Sequence, residues 1–212
     1  MAIGKRINDN YIHNCGLEQT KIDTRIMAIS KMNFTSEQVV AIIEFFLFFA
    51  PVLKSDKKDN SFGLKSLRDY GWFGASSMTK LEGQLLKSAG IGIFCFIKSD
   101  SIDETLEAMN LGDKICTVHP RAVMKQNIKL VAFEDGSVEV RQQETRMECL
   151  FRHVRNSIAH NRTYLFDNDN IMLEDSDDNG KISARIIMPR TSLLKWISII
   201  TQGNISAATD KM

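Results

Sequence analysis

The 212-residue chain has only three prolines, no low-complexity tract and no internal repeat, which argues against a stiff linker or a long disordered tail. Its four cysteines, Cys15, Cys95, Cys116 and Cys149, form no C-x-x-C pair and are too sparse for a disulfide scaffold, so they are expected as reduced thiols of a cytoplasmic protein. Charge of one sign is missing as well: 27 Lys and Arg against 26 Asp and Glu leave a net +1, so bulk electrostatics do not announce a nucleic-acid binder. No G-x-x-x-x-G-K-[ST] or G-x-G-x-x-G string cradles a phosphate, and no elbow motif surrounds a Ser or Cys nucleophile. The start, Met1 to Ile12, carries Lys5 and Arg6 without the apolar stretch of a secretory signal. What is present, 43% hydrophobic and 25% charged residues, suits one soluble domain with a substantial core.

The apolar run Val39–Phe49 is too short for the ~20 residues of a membrane span and holds Glu44 at its centre. Thr35 and Gln38 form a capping box, with Phe34 and Val39 as a hydrophobic staple, opening a helix to about Ala50 before Pro51. This helix is expected in a bundle core or on a dimer surface, with Glu44 either solvated or paired to a cation.

Chemistry concentrates in Arg155-Asn156-Ser157-Ile158-Ala159-His160. Met147, Leu150, Phe151, Val154 and Ile158 recur at i, i+3, i+4 and i+7, so the segment is an amphipathic helix. Arg152, His153, Arg155, Asn156, Ala159 and His160 fall on the arc opposite Val154, with Arg155 and His160 about 140° apart. Asn156, four residues before His160, is placed to hydrogen-bond its ring. Five arginines (Arg141, Arg146, Arg152, Arg155, Arg162) cluster here against Glu144 and Glu148, while Asp167–Asp178 is acidic, which suggests a basic helix beside an acidic meander.

The R-N-x-x-A-H string resembles the signature of the HEPN superfamily (higher eukaryotes and prokaryotes nucleotide-binding domain): Arg, a polar residue, a short gap, then His. A vaguer likeness follows it, a short β-meander and a terminal helix. Many HEPN proteins are metal-independent ribonucleases whose dimers line one cleft with both motifs. The resemblance thus implies Arg155 and His160 as catalytic, Asn156 as their supporting polar group, RNA as substrate, a homodimer with a composite site, and no cofactor or metal. It also implies a toxin–antitoxin or antiphage setting, with an antitoxin protein as a further partner. Chemistry supports the same residues independently. Cleaving RNA without a metal needs a base for the 2′-hydroxyl, suited to a His with a reference pKa of about 6.5, and a permanent cation for the phosphate. Arg152 is a further substrate-binding candidate. The competing reading is a catalytically silent, HEPN-like dimeric module that binds RNA, a nucleotide or a protein.

Elsewhere the sequence predicts loops around a short helix near Leu64–Tyr70, with Trp72 and Phe73 as anchors, and helices over Ser77–Ile97 and Ile102–Met109, with Gly90-Ile91-Gly92 marking a break. Asp135-Gly136 reads as the turn of a hairpin joining Ile128–Phe133 to Ser137–Arg141. Strands follow at Arg162–Phe166, Ile171–Glu174 and Lys181–Met188, then a helix over Thr191–Gln202. Asp175–Gly180 begins like a calcium loop, but Ile186 stands where a bidentate Glu is needed, so a hairpin turn is expected. Cys149 and His153 make half a metal site with no second half. The chain is thus expected as a single domain over 1–212, mainly α: a HEPN-like helical bundle with small antiparallel β-hairpin and meander additions. Its N-terminal helical part covers about 1–126, and the motif helix, meander and C-terminal helix cover about 142–202.

Overall fold

A five-stranded mixed sheet lies at the centre of the molecule, with most of the helices on one face and one short helix on the other. The computed structural model describes residues 12–13, 32–49, 66–98, 102–113, 115–133, 138–142 and 144–203. In chain order these form β1 (Ile12–His13), α1 (Ser36–Ile43) prolonged by a π-helical turn (Glu44–Phe48), a 3-10 turn (Leu67–Tyr70), α2 (Ala75–Ser88), β2 (Ile93–Ile97), α3 (Asp103–Ala108), β3 (Ile115–Cys116) and β4 (Arg121–Lys125). There follow β5 (Ile128–Ala132), β6 (Val138–Gln142), α4 (Arg146–Ala159), β7 (Thr163–Leu165), β8 (Asn170–Ser176), β9 (Ile182–Pro189) and α5 (Ser192–Gln202). The sheet order is β2-β4-β9-β8-β7; β2 and β4 run parallel and the other neighbours antiparallel. β5 and β6 pair as a separate hairpin, and β1 lies parallel to β3.

This overturns the expectation of a mainly helical bundle with small β additions. The meander β7–β8–β9 forms where expected, but it is three-fifths of a sheet completed by two strands the sequence pattern hides. The helix anticipated over 77–97 ends at Ser88, Gly90 turns the chain at φ 64°, and Ile93–Ile97 becomes β2. A continuous apolar run of this kind has neither a helical nor an alternating period to betray it. β4, Arg-Ala-Val-Met-Lys, is covered on both faces and lacks polar alternation for the same reason.

Alternation along the strands divides the sheet's side chains into two buried sets. Ala122, Met124, Ile171, Leu173, Ala184, Ile186 and Met188 meet α4 and the other helices, packing with Phe151, Val154, Trp196 and Phe46. Val123, Met172, Ile187, Tyr164 and Phe166 face the opposite way and are covered by Ile102, Leu106, Leu111 and Ile115 from α3 and the segment after it. Both faces are therefore apolar, as a sheet containing a parallel pair requires.

Local signals behave as anticipated at several points. Thr35 and Gln38 make the capping box of α1, and Glu44 is exposed to solvent. Trp72 is buried and its Nε1 donates to Ile200 O at 3.1 Å, an anchor tying the 3-10 turn to α5, whereas Phe73 is 55% exposed and anchors nothing. Asp177 Oδ1 accepts from the N–H groups of Asn179 and Lys181, so the acidic stretch is a hairpin turn closed by its own aspartate. The Asp135-Gly136 turn lies outside the described residues. Cys95 and Cys149 are free, but Cys116 is disulfide-bonded, so the expectation of four reduced thiols fails there. The β1–β3 pairing, with His13 opposite Cys116, is a long-range approach that cysteine spacing cannot reveal.

Candidate active site on helix α4

The sequence of α4 specifies both of its ends. Thr145 Oγ1 accepts from Glu148 N at 3.2 Å while Glu148 Oε2 accepts from Thr145 N at 2.8 Å, satisfying two otherwise unpaired N–H groups. At the other end His160 is the C-cap and Asn161 turns left-handed at φ 54°. Arg162 N then donates to Ser157 O at 2.8 Å and Asn161 N to Ile158 O at 3.2 Å, the paired bonds of a Schellman stop. The motif therefore ends its helix, and His160 sits exposed at the tip beside the turn into β7.

The expected apolar stripe is buried in full: Met147, Leu150, Phe151, Val154 and Ile158. A second, polar stripe is buried beside it, formed by Cys149, His153 and Ser157. The sequence placed His153 on the outward arc, and the structure reverses this: its side chain is 0% exposed. The physical reason is the sheet. A helix lying across a sheet with further helices at its flank buries an arc of about 200°, wider than the stripe that packs a simple bundle.

Under the polar stripe lies a connected network. His153 Nδ1 is 2.8 Å from Asp175 Oδ2 on β8, and a proton on Nδ1 satisfies that carboxylate. His153 Nε2 lies 2.8 Å from Lys125 O and 3.1 Å from Arg152 Nη2. Asn156 Nδ2 donates to the same Asp175 oxygen at 3.1 Å. Arg152 grips Glu144 with two bonds, Nε to Oε2 at 2.8 Å and Nη2 to Oε1 at 2.6 Å, and Nη2 also donates to Lys125 O at 3.1 Å. Glu144 accepts in addition from Asn127 N at 2.8 Å. Burial acts to raise the Asp175 carboxyl, yet the hydrogen bond and charge of His153, then Asn156 and Arg152, outweigh it and hold the group below its usual range. Glu144 is likewise held low, its burial outweighed by Arg152 and the Asn127 N–H. Burial, with the neighbouring Glu144 charge, pushes the Cys149 thiol up, which makes it an inert packing group.

The proposed site residues are thus treated unequally. Arg152 is held by Glu144, and Asn156 donates to Asp175. The side chains of Arg155 and His160 have no hydrogen-bond or ion-pair partner among the described residues, and Arg155 Nε is buried with its N–H unpaired. At 100° per residue their positions stand about 140° apart around the helix axis. The surrounding charge is leaner than the count of five arginines suggests. Arg146 pairs with Glu82 at 2.7 Å and stacks on Phe94 and Phe96, Arg152 is neutralised, and the Arg141 side chain lies outside the described residues, which leaves Arg155 and Arg162. The acidic meander is thinned in the same way: Glu174 pairs with Arg185, Asp169 with Arg190 and Asp175 with His153, and Asp177 closes its own turn, which leaves Asp167 and Asp178 exposed.

Glu144 and Asp175 were not legible as site residues in the sequence, and His153 only as a partner of Cys149. His153 and Cys149 do stand at i, i+4, but the groups that meet the His153 ring are Asp175 of β8 and the Lys125 carbonyl of β4, distant in sequence. Among the described residues no three His, Cys, Asp or Glu side chains group to hold a metal ion. Among them, too, no helix is long and apolar enough to cross a membrane. Comparison with family models, with curated proteins and with solved structures yields no match to this chain.

Proposed function

We propose that the chain is a metal-independent endoribonuclease, acting as a homodimer through the exposed end of α4. The observation that carries this reading is selective freedom. Every polar side chain from Arg146 to Ser157 other than Arg155 has an internal partner, whereas Arg155 and His160 have none among the described residues. A buried N–H left unpaired, as at Arg155 Nε, costs free energy unless something outside the chain accepts from it, and a phosphate oxygen suits a guanidinium. His160 then withdraws the proton of a ribose 2′-hydroxyl, whose oxygen attacks phosphorus while Arg155 stabilises the added negative charge. The 5′-oxygen leaves with a proton from the second protomer's His160, and a 2′,3′-cyclic phosphate remains. DNA, without the hydroxyl, is spared.

Pairing of two copies is supported by the apolar side chains left exposed on the N-terminal helix, Val40, Phe48 and Phe49, since its π-helical turn packs on α4. A growth-arresting toxin or antiphage effector, held in check by an antitoxin protein covering α4, is the setting the motif resemblance implies. One observation favours the second reading, a silent module that binds RNA, a nucleotide or a protein: Asn156 serves Asp175, so no described side chain orients the His160 ring.

The purified chain, incubated in EDTA with a mixed RNA pool and with DNA of matched sequence, separates the two. Cleavage of RNA alone is expected, reduced about 10²-fold or more in His160→Ala and in Arg155→Ala with circular dichroism unchanged. Cleavage undiminished in both variants sinks the catalytic assignment, and intact RNA retained in a complex establishes the binding module.

A further inference from the structure

Asp175 stands where three features of the sheet meet under α4. A register shift between Asp175 and Ser176 breaks the β8–β9 ladder, and such bulges re-aim the side chain beside them. Its cross-strand neighbour is Ala184, whose small side chain leaves room for a carboxylate beneath the helix. His153 and Asn156, three residues apart on α4, converge on its one oxygen, Oδ2. The apolar contacts of α4, from Leu150, Phe151, Val154 and Ile158, are non-directional and tolerate a modest roll of the helix. The hydrogen bonds to Asp175 are directional and do not. A buried ion pair contributes little net stability compared with apolar residues of equal volume, and its best-attested use is to specify register.

Resting on the ribonuclease reading, we propose that Asp175 is a positioning residue of the α4 site. Through His153 and Asn156 it sets the rotation of α4 on the sheet, and so the directions in which Arg155 and His160 leave the helix tip. Glu144, from the segment before the helix, braces the same side through Arg152. Glu174, the preceding residue of β8, is a built-in control. It too is buried and ion-paired, to Arg185 Nε at 2.9 Å, but faces the other side of the sheet.

Asp175→Asn and Glu174→Gln are compared in the full chain, well below their unfolding temperatures. Both are expected to unfold earlier than the wild type, but only Asp175→Asn loses kcat for RNA cleavage, about tenfold or more, with KM little changed. His153→Asn, whose amide can replace Nδ1–H, is expected to keep more activity than His153→Leu, so the inference is readable even if Asp175→Asn fails to fold. Equal loss of kcat in the Asp175 and Glu174 variants, no loss in either, or His153→Asn no better than His153→Leu overturns it. If the wild type cleaves no RNA, the ribonuclease reading has failed on its own. The positioning inference is then read from the NMR shift of the His160 ring on adding inorganic phosphate: a response altered in Asp175→Asn but not in Glu174→Gln supports it, and identical responses overturn it.

Discussion

At the residue scale, the decisive contrast is between His153 and His160, seven positions apart on one helix. One is sealed between a carboxylate and a carbonyl; the other is left at an exposed cap. Both looked equally outward by helical projection. Which of them is free for chemistry depends on Asp175, a residue of a different strand. Removing that carboxylate leaves a buried histidine and an amide without their acceptor, so Asp175→Ala is expected to cost about 3–5 kcal/mol in urea unfolding. Acid acts on the same group. Asp175 and Glu144 are both held below their ordinary values of 3.8 and 4.5, so each is charged in the native state at pH values where the unfolded chain binds a proton. Their contribution is present above those ordinary values and is lost as the pH falls through the lower folded-state values. Unfolding free energy should therefore decline from about pH 5 downward, and more shallowly in Asp175→Asn. An unchanged acid slope in that variant would contradict the linkage.

At the element scale, α4 is determined by its caps and by what it lies on, and these have different origins. The caps are local: Thr145 with Glu148 at the start, Asn161 in the left-handed turn at the end. Thr145→Ala should lower stability by about 1 kcal/mol. Asn161→Val should cost about 1–2 kcal/mol because a β-branched residue resists positive φ, while Asn161→Gly should be nearly silent. Hydrogen exchange of the α4 amides, together with urea unfolding, checks all three. Little loss in Asn161→Val would mean that the Schellman stop does not hold the helix tip in solution. The burial of His153 and Ser157, by contrast, comes from the sheet beneath and could not be inferred from the helix alone.

At the scale of the whole molecule, two apolar clusters, one on each face, share the strands of a single sheet. Leu173 packs toward α4 and Met172, its neighbour on β8, toward α3. Leu173→Ala and Met172→Ala should each cost about 2–5 kcal/mol. Both should displace one common unfolding transition, seen alike by far-UV circular dichroism and by the fluorescence of Trp72 and Trp196, which lie on the α4 side. Two separated transitions, with Met172→Ala moving only the one that tryptophan does not report, would show that the faces unfold independently.

Much of the molecule was legible in short stretches of chain. The Thr35–Gln38 capping box, the meander, the C-terminal helix and the pairing of 128–132 with 138–142 rest on interactions within a few residues or on plain alternation, and periodicity and turn chemistry report those directly. The same local rules located the R-N-x-x-A-H helix and the candidate pair Arg155 and His160. Tertiary structure alone decided that β2 and β4 join the meander, because neither the unbroken apolar run of β2 nor β4, covered on both faces, carries a period. It also decided which polar side chains of α4 are consumed within the fold: the acceptors that hold Arg152, His153 and Asn156 come from Glu144, Lys125 and Asp175, and only the folding of the sheet brings the last two beneath the helix.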